Sequence, residues 1–460
     1  MSRSVAINPA AVRAYDIRGT FGRELGLDDA RNLGLAYAAR ARAHDRHRIA
    51  VGRDGRMSSP ALEDALISGL MDGGMHVHRI GLGPTPQLYY ACHTFAFDGG
   101  VMVTGSHNPP GENGFKLLLG GHPIFGAELQ SLVRSECAPA HGGRLFTLRT
   151  AARYVERLAS AAEDIEPFRV VWDCGSGAVG VVIGELTALL SGTHVLLNAR
   201  VDGSFPIHHP DPADAANLRQ LQRAVREHRA DLGIAFDGDG DRIGIVDETG
   251  EIVWPDQLLL LLAQDVLARH KNAPIVADVK SSRVLFDGIR QAGGRPVMAP
   301  SGYVLVRQAM LREQAPLAGE MSGHIMFSDA WYGSDDALYV AIRTLAALSR
   351  RGESLGTFRR RLPKTACTPE LRLACPDDRK RIVVEEVAAR VASSGLSVDT
   401  TDGIRVSTPE GWWLLRASGT EPRLTVRCEA ADPEGLERVR RQLVRELEQS
   451  GVDTSLLGTR

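Results

Sequence analysis

Residues 104–110, with the sequence TGSHNPP, present a serine and a histidine directly after an apolar stretch at 99–104. Glycine lets the chain turn here, and the two prolines prevent it from continuing as a strand or helix. We therefore expect Ser106 at a strand end, next to His107. A serine hydroxyl in that position can act as a nucleophile or carry a phosphoryl group. The alternative is a structural turn in which Ser106 and Asn108 bond their own backbone.

A second segment, residues 237–242 with the sequence DGDGDR, places three carboxylates at alternate positions. Asp237, Asp239 and Asp241 would repel one another without a cation, and hard oxygen ligands suit Mg2+ or Ca2+. Arg242 stands where a calcium-binding EF-hand needs glycine, and the flanking residues resemble strands. The pattern predicts a metal site that is not a calcium sensor; a solvated acidic turn is the alternative.

A third segment, residues 319–324 with the sequence GEMSGH, alternates polar side chains with spacers. Glu320, Ser322 and His324 can offer paired donors and acceptors to sugar hydroxyls. By itself, however, such a segment is more typical of a surface loop with a helix cap.

A fourth segment, residues 416–422 with the sequence RASGTEP, combines an arginine with small polar residues. Arg416 supplies a planar fork of donors that matches phosphate. Ser418, the amides around Gly419, and Thr420 can complete an anion-binding nest. A plain hairpin loop is the alternative.

Three further positions are weaker candidates, because a charged residue alone is more often solvated. Residues 15–18 (YDIR) place Tyr15 and Arg18 early in the chain, Lys116 follows Asn-Gly-Phe close to the serine segment, and Lys280 follows a predicted strand. Together with the four loops, these residues indicate phosphoryl transfer on a phosphosugar, a small-molecule partner. Ser106 and Thr420 are more than 300 residues apart in the sequence, so the loops can act together only in a cleft between domains.

The elements that must position these loops alternate between strand and helix over the first three quarters of the chain, which favours α/β domains. Three successive units of similar size predict a triplicated architecture. The strands that we expect are 48–52, 99–104, 168–173, 194–198, 231–236, 243–247 and 274–279, and the helices include 29–43, 60–69, 179–190, 255–269 and 282–292. The last ~95 residues predict an α+β domain with a mostly antiparallel sheet, built from strands 370–374, 403–407, 411–416 and 423–429 and helices 377–393 and 433–449.

Composition excludes several classes of protein. The chain has 460 residues, with 54 Lys+Arg against 56 Asp+Glu and a net charge of −2, which argues against a polybasic nucleic-acid or membrane-surface binder. The longest aliphatic run, 258–263, is far shorter than the roughly 20 residues of a spanning helix. The N-terminus lacks the apolar core of a signal peptide, and six scattered cysteines without a CxxC pair indicate reduced thiols. We therefore expect a cytoplasmic protein without nucleic-acid or membrane partners.

The order of TGSHNPP, DGDGDR, GEMSGH and RASGTEP, with YDIRG near the start, resembles the α-D-phosphohexomutases, most closely the bacterial phosphomannomutase/phosphoglucomutase group. The resemblance covers essentially the whole chain. It implies three related α/β domains with mixed sheets and a C-terminal α+β domain, arranged around a central cleft. The implied domains are 1–148 with the phosphoserine loop, 149–250 with the metal loop, 251–364 with the sugar-specificity loop, and 365–460 with the phosphate-binding loop. It also suggests a monomer.

The resemblance further implies a role for each motif residue. Ser106 would be the phosphoserine, and Mg2+ would be held by its phosphate together with Asp237, Asp239 and Asp241, with Arg242 beside the metal loop. Glu320 and Ser322 would bind sugar hydroxyls, and the non-reacting phosphate would be held by Arg416, Ser418, Gly419 and Thr420. The other positions that match family active-site residues, as substrate contacts or acid/base groups, are Tyr15, Arg18, His107, Lys116, Lys280 and His324.

The implied reaction exchanges a phosphoryl group between C1 and C6 of mannose and glucose phosphates. The phosphoserine would give its phosphoryl group to the free hydroxyl, forming a hexose 1,6-bisphosphate that turns in the cleft. Ser106 would then take back the other phosphoryl group, with Mg2+ neutralising the developing charge.

Two departures from the family pattern leave alternatives open. Tyr303 stands where related mutases often carry a histidine, which puts an imidazole role in doubt and is the only support for a non-catalytic sugar-phosphate-binding protein. Residues 418–421 (SGTE) are also common in phosphoglucosamine mutases, whereas GEMSGH favours mannose and glucose. A serine hydrolase built on Ser106 and His107 is disfavoured, because adjacent residues rarely point at one another and no GxSxG elbow surrounds the serine.

Overall fold

The structure is a computed structural model that describes residues 3–4, 7–134, 136–162, 165–393, 395–419 and 422–458. Its strands form four large sheets and one two-stranded pair, Arg3–Ser4 with Glu136–Cys137. Within these ranges, every helix falls short of the length and apolarity that a membrane crossing needs. Cys92, Cys174, Cys367, Cys375 and Cys428 are free thiols.

The first sheet is mixed and has seven strands. Its order is Ile17–Thr20, Glu112–Leu119, Gly99–Val103, Arg48–Arg53, His76–Leu82 and Arg144–Thr147, with His122–Pro123 paired to the second of these. Its helices are Leu27–Arg42, Ser59–Asp72, Thr85–Thr94 and Gly126–Leu132, preceded by a 3-10 turn at Pro9–Ala11. Two of these helices pack closely because Gly34 and Gly69 bring their backbones together: a Cβ on Gly69 would lie 2.0 Å from the carbonyl oxygen of Arg31.

The second and third sheets are also mixed. The second has the order Gly192–Leu197, Phe168–Asp173, Leu232–Phe236, Ile243–Asp247 and Ile252–Val253, with helices Ala151–Ala159, Ile183–Leu189 and Arg219–His228 and 3-10 turns Ala178–Val181 and Ala215–Leu218. The third has the order Arg295–Ala299, Pro274–Asp278, Leu317–Gly319 and Ile325–Phe327, with helices Pro255–Arg269, Arg283–Gln291, Tyr303–Glu313, Ala337–Arg351 and Leu355–Arg361. The single helix expected at 179–190 was wrong, since a 3-10 turn precedes a shorter α-helix there.

One four-strand pattern recurs in these three sheets. The first strand of the pattern lies between the second and the third and is parallel to both, while the fourth is antiparallel to the third. The predicted triplicated α/β architecture with mixed sheets is therefore confirmed. Because an antiparallel partner needs only a short connection, each unit has a tight loop between its third and fourth strands.

The C-terminal unit is different, as the sequence predicted. All the strand pairs described in it are antiparallel. The order is Ala366–Cys367, Arg423–Ala430, Gly411–Ala417, Ile404–Ser407 and Ser397–Asp399, with Leu371–Ala374 also paired to the second of these. Its helices are Asp377–Ala392 and Pro433–Gln449, followed by a 3-10 turn at Ser455–Leu457.

The buried core is not divided evenly among the four units. The first and the C-terminal units each have a separate apolar core. One continuous core joins the second and third units, running from Trp172 of the second sheet through Leu261 to Tyr339. Burial of apolar surface is the dominant stabilising term, so the second and third units are stabilised by one shared core.

Candidate active site

The three loops that follow the third strand of each α/β unit carry the first three motifs. Residues 104–111 connect Gly99–Val103 to Glu112–Leu119, and residues 237–242 connect Leu232–Phe236 to Ile243–Asp247. Residues 320–324 connect the equivalent strands of the third unit. Structurally equivalent loops at carboxyl strand ends therefore meet in one cleft, the usual position of a site in α/β sheets.

The serine loop is held by Arg56, a buried residue that the sequence analysis did not single out. Its guanidinium donates to four carbonyl oxygens of the loop region, among them those of Ser106 at 2.7 Å and Asn108 at 2.6 Å. Ser106 has a φ of 47°, in the left-handed region that non-glycine residues rarely adopt. Such strain persists only where the surroundings enforce it, here through Arg56 and a bond of 2.8 Å from the Ser106 amide to the Thr104 hydroxyl.

The Ser106 hydroxyl lies between two potential partners. It donates to Oδ2 of Asp237 at 2.8 Å, and it lies 3.2 Å from Nδ1 of His107. The expectation that adjacent residues do not point at one another was wrong here, because the strained serine backbone turns both side chains to the same side. Burial, Arg242 and Arg18 lower the pKa of His107 well below its usual range, so its imidazole is neutral at physiological pH.

The three aspartates form a fully buried cluster with a lysine. Asp237, Asp239 and Asp241 have no exposed surface, and one carboxylate oxygen from each lies within 4.8 Å of the others. Lys116 donates to Oδ2 of Asp239 at 2.7 Å and also contacts Asp241. Thr85 donates to Asp239 at 2.5 Å. Thr85 could not be predicted from the sequence, because it begins a helix of the first unit far from residues 237–242.

This cluster fits a hard divalent cation. Oδ1 of Asp239 and Oδ1 of Asp241 are buried without a hydrogen-bond partner among the described residues. Unsatisfied buried carboxylate oxygens are costly, and a divalent cation with oxygen preference satisfies them. Oδ1 of Asp237 instead accepts three backbone amides, from Gly240, Asp241 and Arg242, which fixes the curvature of the loop.

The charges within the cluster are unequal. Burial raises the pKa of Asp237 well above its usual range, and the neighbouring aspartates add to this rise. For Asp241, burial also acts to raise the pKa, but Lys116 and His324 outweigh it and the pKa falls well below its usual value. The ammonium of Lys116 thus keeps the carboxylate of Asp241 ionised.

Residues 319–324 are largely buried, with Met321 and Ser322 half-buried, so the alternative of a solvent-exposed surface loop is wrong. His324 lies 3.2 Å from Oε2 of Glu320, 2.9 Å from the Ser322 hydroxyl and 3.4 Å from Oδ1 of Asp241. Burial and Arg242 act to lower the pKa of His324, but these carboxylates outweigh them and raise it to about 9. Nε of Arg242 is 3.3 Å from the imidazole, which ties the metal loop to this one.

Tyr303 begins a helix of the third unit and lies inside the same cleft. Its ring is 5.4 Å from that of His324, between centroids, and 6.0 Å from Nζ of Lys116. Burial raises the pKa of Tyr303, so the phenol is neutral at physiological pH. It can donate or accept a hydrogen bond but not exchange a proton as an imidazole would.

Two arginines lie on opposite sides of the cleft. Arg18 pairs with Asp16 at 2.7 Å and donates to Asn108 of the serine loop at 2.7 Å. Arg416 donates through Nε to Asp402 at 2.9 Å, and the same carboxylate oxygen accepts the amide of Ser301 at 3.0 Å. Asp402 was missed from the sequence, since its partners lie on a different strand and in a different unit.

Other predicted residues join the units across the cleft. Tyr15 donates to the carbonyl of Ser301 at 3.3 Å, and Lys280 lies 3.2 Å from Glu370 of the C-terminal unit. Ser418 and Gly419 lie just beyond strand Gly411–Ala417. Thr420 lies outside the described residues, so its predicted phosphate contact stays a prediction.

The same four-unit organisation is found in known proteins. Models of phosphoglucomutase/phosphomannomutase alpha/beta/alpha domains I, II and III match residues 10–135, 152–250 and 254–366, and the model of the C-terminal domain matches residues 370–446. The chain belongs to the phosphoglucomutase/phosphomannomutase family. This confirms the resemblance stated from the motifs, and it makes the chain a phosphohexomutase, an isomerase of hexose phosphates.

Relatives in this family are similar over nearly their whole length. The chain is 41% identical to a phosphomannomutase/phosphoglucomutase of Pseudomonas putida, covering 95% of each chain, and 40% identical to that of Pseudomonas aeruginosa PAO1, covering 97% of each. A phosphoglucomutase of Neisseria meningitidis is 39% identical over 94% of this chain and 95% of its own. A crystal structure of a family protein from Burkholderia thailandensis matches with a TM-score of 0.89 and 38% identity, covering 96% of this chain and 98% of that one.

Proposed function

We propose that this phosphohexomutase interconverts the 1- and 6-phosphates of glucose and mannose, with Ser106 as the phosphoryl carrier. The observation that carries the proposal is the position of the Ser106 hydroxyl, 2.8 Å from Asp237 at the edge of the buried carboxylate cluster. A hydroxyl between a cation site and a neutral imidazole is suited to receive and return a phosphoryl group.

The residues around Ser106 support distinct steps. His107, neutral and 3.2 Å from Oγ, can accept the hydroxyl proton at Nδ1 when the serine takes back a phosphoryl group. His324 stays protonated below a pKa of about 9 and, with Lys116 and Arg18, offers positive charge to the phosphoryl oxygens.

The cation site is proposed to take Mg2+. Asp237, Asp239, Asp241 and the phosphorylated form of Ser106 would hold the ion. When bound, Mg2+ would neutralise charge on the transferring phosphoryl group. The buried Oδ1 of Asp239, which has no hydrogen-bond or ion-pair partner among the described residues, supports a resident cation, and Oδ1 of Asp241 has only His324 at 3.4 Å.

The two ends of the substrate are proposed to bind on opposite sides of the cleft. Glu320 and Ser322 would pair with sugar hydroxyls, while Arg416, Ser418, Gly419 and Thr420 would hold the non-reacting phosphate. These four residues, the phosphate clamp, must accept the phosphate at either end of the sugar. A hexose 1,6-bisphosphate that turns within the cleft can therefore serve as the intermediate. Tyr15, Lys280 and Tyr303 line the remaining wall as substrate contacts.

The preference for glucose and mannose rests on the names of the relatives and on the GEMSGH loop. A phosphoglucosamine mutase is the alternative from residues 418–421, and a non-catalytic sugar-phosphate binder is the more remote one. The monomeric state and the cytoplasmic location stay predictions.

The decisive experiment measures turnover of glucose, mannose and glucosamine 1-phosphates, with a trace of hexose 1,6-bisphosphate, by wild type, Ser106→Ala and Ser131→Ala. Ser131 is exposed on a helix and serves as the matched control. We expect activity in wild type and the control but not in Ser106→Ala, and a phosphate-sized mass increase on the intact protein only when Ser106 is present. Equal activity of Ser106→Ala, or sugar-phosphate binding without turnover, would contradict the proposal; a large preference for glucosamine phosphate would identify the alternative.

A further inference from the structure

Residues 279–283, directly after strand Pro274–Asp278, form hydrogen bonds with side chains of the C-terminal unit. Nη1 of Arg405 donates to the carbonyl oxygens of Val279 at 2.7 Å and Ser281 at 2.8 Å. Nη1 of Arg427 donates to the carbonyl oxygen of Lys280 at 2.6 Å. Three consecutive carbonyls of a loop in the third unit are thus bonded by two arginines of another unit.

A third side chain of the C-terminal unit, that of Glu429, also bonds this loop. Oε1 of Glu429 accepts the amide of Arg283 at 3.0 Å and the indole N–H of Trp412 at 2.9 Å. Arg405 in turn stacks over the ring of Trp412, with 3.7 Å between the guanidinium carbon and the ring centroid. Three carbonyl oxygens and one amide of this loop are therefore bonded by the C-terminal unit, while its other described amide bonds stay within the third unit.

Burying the two guanidinium groups in this way costs desolvation free energy. Arg405 is 6% exposed and Arg427 is 9% exposed. The carboxylates that interact most with these charges are Glu429 for Arg405 and Asp256 for Arg427, and neither forms a direct ion pair with its arginine in the described part of the chain, although buried charges are normally paired. General packing between units does not require two such desolvated charges, since apolar residues of similar volume would serve as well or better.

The loop that they hold carries Lys280, whose ammonium points into the cleft. Nζ of Lys280 lies 3.2 Å from Glu370 and 3.8 Å from Asp278. A long lysine side chain has much rotational freedom, so the direction of its ammonium depends on how firmly its backbone is fixed.

We infer that Arg405 and Arg427 are positioning residues for Lys280, fixing the loop so that the ammonium meets the substrate only when the C-terminal unit is in place. The inference rests on the proposed function, in which Lys280 contacts substrate. Any rotation of the C-terminal unit must either break three short hydrogen bonds or carry the Lys280 loop with it. The C-terminal unit, which carries the phosphate-binding residues, thereby also determines the position of the Lys280 ammonium in the third unit.

The test is a double-mutant cycle on kcat/KM for glucose 1-phosphate, with Arg427→Gln and Lys280→Met made singly and together. We expect Arg427→Gln to lower kcat/KM about tenfold or more in the wild-type background, the scale of a lost bond from a charged donor, and less than about twofold once Lys280 is gone. Arg427→Lys, which keeps a charged donor, should restore part of the loss.

Arg390→Gln is the matched control, because Arg390 also donates to a carbonyl oxygen of the C-terminal unit, that of Glu446 at 2.6 Å, but does not touch the Lys280 loop. Its effect should be the same in both backgrounds. If Arg427→Gln lowers kcat/KM by equal factors in both backgrounds, or not at all, the inference is overturned. If Arg427→Gln does not fold, the same cycle with Arg405→Lys and Arg427→Lys decides the matter by the same comparison.

Failure of this inference and failure of the proposed function give different results. If the proposed function is wrong, the wild type does not turn over glucose 1-phosphate, or Ser106→Ala is as active as the wild type. If only the positioning inference is wrong, Lys280→Met lowers kcat/KM while the effects of the two substitutions simply add.

Discussion

Replacing Lys116 by methionine should show how much of the free energy of unfolding depends on one ammonium group in the cleft. Lys116 lies 2.7 Å from Oδ2 of Asp239 and contacts Asp241, and both carboxylates are fully buried. Methionine keeps the apolar stem of the side chain but removes the cation. The variant therefore leaves a cluster of buried carboxylates without its counter-ion.

The size of the effect follows from this burial. Removing one partner of a buried ion pair costs about 3–5 kcal/mol, and the ammonium here serves two carboxylates, which favours the upper end. Lys116 holds the pKa of both Asp239 and Asp241 low, against the effect of burial. A depressed carboxyl pKa contributes stability above the unfolded-state pKa and loses it as the pH falls through the folded-state pKa. The difference between wild type and variant should therefore be full above pH ~4, the ordinary aspartate value, and shrink as the pH falls below it.

A cation at the same carboxylates should reverse the loss. A ligand at 100 times its Kd stabilises a protein by about 2.7 kcal/mol, and removing the nearby ammonium strengthens the attraction between the carboxylates and Mg2+. We expect MgCl2 to raise the unfolding midpoint more in Lys116→Met than in wild type.

The assay is denaturant unfolding at neutral and acidic pH, in EDTA and in saturating MgCl2, with Lys271→Met as the control. Lys271 is exposed in the loop after helix Pro255–Arg269. If Lys116→Met unfolds at the same midpoint as wild type in EDTA, or if MgCl2 stabilises both equally, the electrostatic account of the cluster is refuted.

Three further predictions concern other parts of the site and core. A Cβ on Gly238 would lie 2.4 Å from the carbonyl oxygen of Ser106, so Gly238→Ala should lower kcat/KM more than tenfold, whereas Gly111→Ala, with no atom within 4 Å, should leave it nearly unchanged. Burial raises the pKa of Asp336 to about 6 from its ordinary value of 3.8, so the folded state loses about 3 kcal/mol of stability as the pH rises between these two values. Asp336→Asn should remove that part of the pH dependence in thermal unfolding profiles. An unchanged pH dependence would contradict the assignment. The Tyr303 hydroxyl has no hydrogen-bond partner in the described part of the chain, so Tyr303→Phe should leave the unfolding midpoint unchanged while lowering kcat/KM up to about tenfold, and no kinetic effect would exclude a substrate contact by that hydroxyl.

Much of the fold could be predicted because local patterns carry it. The apolar run at 168–173 and the helix at 433–449 were predicted within the bounds that the structure gives, since strand and helix periodicities differ and their end signals are local. The helix expected at 179–190 was wrong in its first turn, where Gly177 and Gly180 interrupt a sequence with otherwise helical composition. The four motifs also follow from local residue chemistry, although each motif alone leaves a structural turn or surface loop open and only their order in the chain indicates the family.

What the sequence could not supply are the partners that only the folded backbone brings together. Arg56 bonds four carbonyls around the serine loop, and Asp402 joins Arg416 to Ser301, but nothing in the spacing of these residues distinguishes them from ordinary surface charges. His107 was expected to point away from Ser106, and only the left-handed backbone at Ser106 brings the two side chains together.

The sequence by itself determined which residue types are available for chemistry, the order of the units and the family, because these depend on composition and local pattern. The tertiary structure decided which of those residues meet, which charges are desolvated, and hence which pKa values shift. The physical reason is that burial and opposite charge set the state of Asp237, Asp241 and His324, and both arise only when three equivalent loops from three separate sheets close on one point.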